Sequence, residues 1–346
     1  MQDWPEPTLN RLKQLQDKYA HMGQDMNAYL EGLLHTRTLT YEDYLQMPAL
    51  LSLQTPRTNL ADELIFIIYH QITELYFKLI RHELHQMLGH PHQVDLPPLD
   101  ETALERLDRV VRYFRQLVSS QEIMVRGMNK EQFLQFRMAL LPASGFQSLQ
   151  FRQIELEMTG LGQLCKPAGE PGSETLEAEN GNEAQRALLY EQIYWKLGNR
   201  ELQSGAKTLT LRAFEARHDD TLRQMARELR GRHLYARFLQ YRAHNGPLTQ
   251  AFADKLRLVE LYGNLFWRLS HYRAAARYLD KKPEAIKATG GTNWQEYLPP
   301  SRQGVIYFPI IWPVEDRQEW GTRTLLAKYH HLLAPLLESE QDLGFA

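Results

Sequence analysis

Apolar residues recur at three- and four-residue spacing along most of this chain, and this periodicity is the feature that most restricts its fold. Such spacing predicts helices, whereas the alternating pattern typical of strands is scarce. The helical pattern covers residues 8–32, 60–89, 101–120, 129–140, 146–163, 183–200, 219–243 and 247–280. One good strand candidate remains, the run Val305-Ile306-Tyr307-Phe308, which ends at Pro309. We therefore predict an all-α protein.

Breaks in the helical pattern are rich in proline and glycine, and they lie near residues 89–98, 165–181 and 283–300. A length of 346 residues would allow two domains. The breaks do not divide the chain into two compositions, however. We therefore predict a single large helical domain over residues 1–346, with residues 165–181 as an exposed loop.

The composition is that of an ordinary soluble protein, with 43% hydrophobic and 24% charged residues. A formal net charge of -2 gives no reason to expect nucleic acid or an anionic membrane as a partner. The sequence shows no basic leader with an apolar stretch, and no apolar run approaches 18 residues. Its one cysteine, Cys165, cannot form an internal disulfide. These features predict a cytoplasmic protein.

A histidine lies in the middle of the apolar helix predicted over residues 60–89. With 3.6 residues per turn, Phe66, His70, Thr73 and Phe77 share one face of that helix. An imidazole between phenyl rings suits an apolar pocket that needs one polar contact. The alternative is a core histidine whose ring is satisfied by a backbone carbonyl.

An arginine follows a group of aromatic residues in the run Phe133-Leu134-Gln135-Phe136-Arg137. Phe133 and Arg137 are four residues apart, and an arginine behind an aromatic ring can bind a carboxylate through two parallel hydrogen bonds. The alternative is a surface arginine whose stem covers apolar side chains. Ser144, in the Pro-Ala-Ser-Gly sequence that follows, is a candidate cap for the next helix.

A second histidine, His271, lies late in the last long helical pattern, on the same face as Asn264, Trp267 and Arg268. A lone imidazole in such a helix can be an axial haem ligand, although a core or surface histidine has the same pattern. Further on, Thr289 precedes two glycines that let backbone approach a ligand closely. A simple turn is the alternative for that segment.

Several common motifs are absent. The run His82-Glu83-Leu84-His85 has its histidines three residues apart, which breaks the zinc geometry of H-E-x-x-H. The sequence contains no P-loop, no G-x-G-x-x-G after a strand and no G-x-S-x-G.

Taken together, the segments resemble the tryptophan 2,3-dioxygenase family in their order along residues 39–312. The run from Pro142 to Arg152, Pro-Ala-Ser-Gly-Phe-Gln-Ser-Leu-Gln-Phe-Arg, is the strongest part of the resemblance. The other matching parts are Leu39-Thr40-Tyr41-Glu42-Asp43-Tyr44-Leu45, the helix around His70-Gln71-Ile72-Thr73-Glu74-Leu75, Phe136-Arg137, the His271 helix and Thr289-Gly290-Gly291.

The resemblance implies an all-helical, obligate homotetramer that uses haem b. It implies that O2 is added across the indole 2,3-bond of L-tryptophan to give N-formylkynurenine, a reaction of tryptophan catabolism by the kynurenine pathway. His271 would be the axial ligand of the haem iron, and Ser144 and Trp267 would lie near the haem. His70 would be the catalytic residue on the distal side, where it accepts a hydrogen bond from the indole N–H.

The resemblance also implies how the rest of the substrate is held. Arg137 would bind the carboxylate of the amino acid, and Thr289 would bind its ammonium group. The indole would be enclosed by the aromatic side chains of Phe66, Phe133 and Phe136. A neighbouring subunit's pocket would receive Tyr41, Tyr44 and Leu45.

This chain departs from the family pattern after Thr289. The family's loop continues with serines and glycine after its two glycines, whereas this chain continues Thr292-Asn293-Trp294. The departure keeps a second hypothesis open, a related haem-dependent oxygenase that acts on another aromatic amino acid or indole derivative. A third hypothesis, of another class, is a helical binding or scaffold protein without turnover.

Overall fold

The computed structural model describes residues 4–89, 93, 95–140, 143, 145–165, 181–201, 204–279 and 299–337. The chain separates into two compact units, Met1–Thr55 and Pro56–Ala346, and each is described by itself. Nothing in the structure tests the prediction of one domain over residues 1–346. Most of the predicted loop at 165–181 lies outside the described residues.

The N-terminal unit contains the helices α1 (Glu6–His21), α2 (Met26–His35), α3 (Tyr41–Leu45) and α4 (Met47–Leu50). The helical pattern over 8–32 is therefore divided into two helices. Gly23, with φ of 69°, makes the left-handed turn between them, and Asp25 caps α2 by accepting from the Asn27 N–H at 3.0 Å. These four helices contain no buried residue.

The second unit holds the core and the longest helices of the described chain. Its first half contains α5 (Asp62–Leu88), α6 (Glu101–Ser120), α7 (Glu122–Arg126), α8 (Lys130–Phe136), α9 (Leu149–Met158), α10 (Leu161–Cys165), α11 (Glu183–Glu191) and α12 (Tyr194–Leu197). Its second half contains α13 (Leu209–Glu228), α14 (Leu234–Ala243), α15 (Thr249–Glu260), α16 (Trp267–Leu279), α17 (Pro300–Gln303), α18 (Val314–Gln318), α19 (Arg323–Lys328) and α20 (His330–Leu333). Short 3₁₀ turns cover Arg137–Leu140, Gly145–Gln147, Pro309–Ile311 and Ala334–Leu336.

The core forms where α5, α6, α9 and α15 pack against one another. Each contributes fully buried aliphatic side chains, such as Leu84, Leu107, Ile154 and Leu256. Truncating one of these to alanine removes about 2–5 kcal/mol of stability. The core thereby fixes the positions of α5 and α15, and α16 continues from α15. The all-α prediction is confirmed.

The strand prediction at 305–308 was wrong. In the described part of the chain the only β-type pairing is an isolated bridge between Arg200 and Lys207. The 305–308 segment is buried, and its backbone groups hydrogen-bond to side chains instead of to a neighbouring strand. The Glu260 carboxylate accepts the N–H groups of Tyr307 and Phe308, and the Asn264 amide donates to the Val305 carbonyl.

The helix that carries His271 is not a regular α-helix throughout. Between α15 and α16 the backbone follows a π-helix at Leu261–Phe266, and all six of these residues are buried. All six residues are buried and Asn264 is the one amide among them, so no change of hydrophobic period in the sequence indicates the wider turn.

Within the described ranges, no helix is both long enough and apolar enough to cross a lipid bilayer.

Candidate functional site

His70 lies in the middle of α5, and its ring is held by its own helix. Nδ1 is 2.7 Å from the carbonyl oxygen of Phe66, one turn earlier. A carbonyl can only accept, so Nδ1 carries the proton and the lone pair of the neutral ring is on Nε2. Burial lowers the pKa of His70, which favours that neutral form at pH 7. No residue in the described part of the chain hydrogen-bonds to Nε2.

The backbone carbonyl foreseen in the alternative interpretation of His70 is therefore present, but it satisfies only one of the two ring nitrogens. The other nitrogen remains an acceptor. This geometry suits a ligand that brings an N–H or O–H donor.

Three phenyl rings form one cluster, in which Phe66 is the ring that packs on His70. The centroid of the Phe66 ring is 4.0 Å from that of His70, 6.2 Å from Phe133 and 5.6 Å from Phe136. Phe133 and Phe136 meet edge to face at 5.5 Å. The three rings belong to α5 and α8, which pack against each other. Together they form an apolar wall with one polar atom, Nε2 of His70.

Two tyrosines support this wall, and sequence reasoning missed both. Tyr278 of α16 packs on Phe133 with ring centroids 4.6 Å apart, and its hydroxyl donates to the Met128 carbonyl at 3.3 Å. Tyr69 packs edge-on against His70, and its hydroxyl donates to Gln121 Oε1 at 2.5 Å. Tyr278 lies seven residues after His271, two helical turns along the same face, and that spacing could have identified it.

Arg137 follows the aromatic wall directly. Its backbone N–H donates to the Phe133 carbonyl, so the predicted four-residue relationship between the two is present although α8 ends at Phe136. The surface alternative was wrong, because the residue is only 5% exposed. Burial lowers the pKa of the guanidinium, which nevertheless stays charged at pH 7. A buried guanidinium next to aromatic rings suits a ligand with a carboxylate.

His271 of α16 comes into the same region from the other half of the chain. Its surroundings lower its pKa to about 4, first by desolvation and then through the positive charge that His70 could carry. Among the described residues, none hydrogen-bonds to its ring. A Cβ added at Gly145 would be 3.4 Å from His271 Nε2, so the backbone of the Ser-Gly motif passes close to that nitrogen. His271 is therefore a neutral imidazole at pH 7, and neither ring nitrogen has a hydrogen-bond partner among the residues that the structure describes.

Trp267 lies one turn before His271, is 9% exposed and meets Phe77 edge-on at 5.9 Å. Ser144 and Thr289 lie outside the described residues, as does the segment Thr292-Asn293-Trp294. The helix after the Ser-Gly motif, α9, is capped by Ser148, whose Oγ accepts from the Phe151 N–H at 3.2 Å.

The three residues predicted to enter a neighbouring pocket, Tyr41, Tyr44 and Leu45, lie on α3 of the N-terminal unit. They are 74%, 73% and 40% exposed. This helix is capped by Thr40, whose Oγ1 accepts from the Asp43 N–H at 3.1 Å.

Metal binding by a cluster of side chains has no support in the described residues, which contain no group of three or more His, Cys, Asp or Glu placed to hold an ion. A single histidine such as His271 is sufficient only where the metal arrives inside a prosthetic group.

Comparison with known proteins covers the first half of this site by a family model and most of the chain by full-length relatives. The family model described as Tryptophan 2,3-dioxygenase matches residues 31–166, which include His70, Phe133 and Arg137. A tryptophan 2,3-dioxygenase of Pseudomonas fluorescens (strain Pf-5) is 30% identical over 287 residues, covering 81% of this chain and 91% of the relative.

Two further relatives bear the same name. The protein of Herpetosiphon aurantiacus is 31% identical over 286 residues, covering 81% of this chain and 98% of the relative. That of Anaeromyxobacter sp. (strain K) is 41% identical over 121 residues, covering 35% of this chain and 44% of the relative. With near full-length matches at this identity, the chain belongs to the tryptophan 2,3-dioxygenase family.

Proposed function

We propose that this protein is a haem-dependent dioxygenase that opens the indole ring of L-tryptophan with O2 to give N-formylkynurenine, in tryptophan catabolism by the kynurenine pathway. One observation carries the proposal. His70 and His271, 201 positions apart in the sequence, come near one another beside a wall of three phenyl rings. Each histidine has a ring nitrogen without a hydrogen-bond partner in the described part of the chain.

The residues present fit haem b. An iron ligand must be a neutral imidazole, and a pKa of about 4 keeps His271 neutral at pH 7. Gly145, which has no side chain, leaves the space next to His271 Nε2 free of a Cβ. His271 would hold the haem iron, and Trp267 and Ser144 would lie near the haem. When bound, the haem supplies the activation of oxygen.

The chain's own residues would bind and orient the substrate. Nε2 of His70 would accept the indole N–H, because Nδ1 is already engaged with Phe66. The indole would pack against the three phenyl rings, which also exclude water from the reacting bond. Arg137 would hold the carboxylate, and Thr289 would hold the ammonium group.

These assignments divide recognition into three requirements. The apolar wall selects a flat aromatic ring, the His70 nitrogen selects a ring with an N–H donor, and Arg137 selects an acid. An α-amino acid with an indole side chain satisfies all three. This match favours tryptophan over a smaller aromatic amino acid, which lacks the ring N–H.

A homotetramer is part of the proposal, and exposed apolar residues support it. One stripe on α5 remains between 39% and 49% exposed, and it consists of Leu64, Ile68, Ile72, Leu75 and Leu79. The N-terminal unit also exposes large apolar side chains, among them Leu33, Leu34 and Tyr41. Such surfaces are typical of subunit contacts. We place the protein in the cytoplasm, without nucleic acid or membrane partners.

The altered loop after Thr289 supports the second candidate, an oxygenase that acts on another aromatic amino acid or indole derivative. Incubation of the purified, haem-loaded protein with L-tryptophan, other aromatic amino acids and simple indoles, under O2 and separately with peroxide, distinguishes the two. O2-dependent formation of N-formylkynurenine from L-tryptophan supports the first proposal. Turnover restricted to another substrate, or to peroxide, contradicts it, and a protein that binds without any turnover would be a scaffold.

A further inference from the structure

The direction of His271 depends on the π-helical segment Leu261–Phe266 that precedes it. An α-helix has 3.6 residues per turn, so one extra residue in a turn rotates all following side chains by about 100°. If α15 continued into α16 without the wider turn, His271 would face away from the region that His70 and Gly145 occupy. Single π-helical turns within α-helices are frequent at functional sites.

Two polar side chains hold this segment from one side. Glu260 is the last residue before it, and its Oε1 accepts the Tyr307 N–H at 2.6 Å while its Oε2 accepts the Phe308 N–H at 2.8 Å. Asn264, inside the segment, donates through Nδ2 to Glu260 Oε1 at 2.8 Å and to the Val305 carbonyl at 2.7 Å. Both side chains are at least 99% buried. The π turn is therefore tied to the buried segment 305–308.

Helix α6 also packs against the segment. A Cβ at Gly263 would lie 2.8 Å from the Phe114 ring, so the backbone of the π turn packs directly on that ring. A side chain at this position would push the turn away from α6.

The same buried segment also contacts the helix just before His271. Arg268 donates through Nη2 to the Tyr307 hydroxyl at 3.1 Å and to Glu155 Oε1 at 2.7 Å. Tyr307 thus spans the π turn, with its backbone N–H held by Glu260 and its hydroxyl held by Arg268. This arrangement fixes how far the helix turns between residues 260 and 268.

We propose that Glu260 and Asn264 are positioning residues, which hold the π turn and thereby orient His271 toward the haem. The inference rests on the proposed function, because it concerns the ligand of the haem assigned there. Neither residue contacts the substrate or the haem in this proposal. Partners that orient a metal-binding histidine typically affect metal affinity by about 10- to 100-fold.

The test uses Glu260→Gln and Asn264→Ala in the full-length, haem-loaded protein. Glu83→Gln is the matched control, because Glu83 is also a buried carboxylate and its hydrogen bonds among the described residues come from Arg106 and Arg109 of α6, with none to α15 or α16. Burial raises the pKa of Glu260 to about 7, so measurements are made at pH 8, where the wild-type carboxyl group is mostly ionised. Readouts are the iron–histidine stretching band of the reduced protein, the rate of haem transfer to an acceptor globin and the melting temperature without haem.

We expect both variants to shift or broaden the iron–histidine band and to lose haem about 10- to 100-fold faster than the wild type. The Glu83→Gln control should lose thermal stability with an unchanged band. If Glu260→Gln folds too poorly to load haem, Asn264→Ala decides, because it keeps the carboxylate and its bonds to the backbone. Variants that melt earlier but keep the wild-type band and rate would overturn the positioning role. A wild-type protein without such a band would instead contradict the assignment of His271 itself.

Discussion

Nδ1 of His70 donates to the carbonyl oxygen of Phe66 at 2.7 Å, and this bond sets which ring nitrogen can meet a substrate. Both residues belong to α5, so a rigid helix rather than a loop fixes the tautomer. The Phe66 ring packs on the same imidazole with centroids 4.0 Å apart. Phe66, one helical turn before His70, therefore sets the tautomer of His70 and part of its apolar surroundings.

Removing the His70 acceptor should lower kcat/KM most for substrates that donate a hydrogen bond to it. We expect His70→Ala to lower kcat/KM for L-tryptophan by about 2- to 10-fold more than for 1-methyl-L-tryptophan, which lacks the ring N–H. Steady-state kinetics with both substrates give the comparison. An equal loss for the two substrates would show that His70 does not accept the indole N–H.

Arg137→Leu should lower kcat/KM for substrates that carry a carboxylate. We expect the fall in kcat/KM for L-tryptophan to correspond to a loss of about 2–4 kcal/mol in transition-state stabilisation, because a buried charge pair loses one partner. Any residual turnover of tryptamine, which has no carboxylate, should change little. Arg112→Leu is the matched control, since that side chain is 74% exposed on α6 and pairs only with Asp108 among the described residues. A variant with wild-type kcat/KM would exclude the carboxylate clamp.

Gly145→Ala should interfere with haem binding. The added methyl group would lie 3.4 Å from His271 Nε2, the atom through which we expect the ring to bind iron. We predict lower haem occupancy after titration with hemin, and a melting temperature of the haem-free protein close to that of the wild type. Gly32→Ala serves as control, because a Cβ there meets no atom within 4 Å. Full haem occupancy in Gly145→Ala would contradict this placement of the haem.

Glu83 should make the fold sensitive to acid. Burial acts to raise the pKa of this carboxyl, but hydrogen bonds from Arg109 and Arg106 outweigh it, so the pKa lies below its ordinary value of 4.5. A lowered folded pKa contributes stability that is present above pH 4.5 and is lost as the pH falls through the folded value. Glu83→Gln should therefore cost about 1–3 kcal/mol at pH 7, and the difference from wild type should shrink at low pH.

Urea unfolding of both proteins between pH 3 and pH 7 measures that difference. Glu315→Gln, at an exposed position of α18, is the control and should change stability by less than about 0.5 kcal/mol at every pH. A difference between wild type and Glu83→Gln that stays constant with pH would contradict the role of the ion pairs.

Local spacing made much of the fold and the site predictable. The helices around His70, Arg137 and His271 follow from apolar periodicity, and Phe66 and Phe133 follow from positions one turn away. The run 305–308 was misread because β-branched and aromatic residues are typical of strands. Its real partner, Glu260, is 47 positions away from Tyr307 along the chain, and no local pattern reports such a contact.

The π turn could not be predicted for a different reason. Residues 261–266 are all buried and Asn264 is the one amide among them, so their sequence has no continuous polar face from which a change of period could be read. The pairing of Arg268 with Glu155 spans 113 positions and likewise depends on the finished fold. Sequence patterns pointed to His70, Arg137 and His271 as candidates, whereas the contacts that orient them came from tertiary structure.

The most direct test of the proposed function is an absorption spectrum of the purified, haem-loaded protein, reduced under nitrogen and then given L-tryptophan and air. We expect the spectrum of a ferrous haem with one histidine ligand, followed by the absorbance of N-formylkynurenine. His271→Ala, prepared in parallel, should lose that spectrum. Haem binding without this product would contradict the reaction, and an unchanged spectrum in His271→Ala would contradict the ligand.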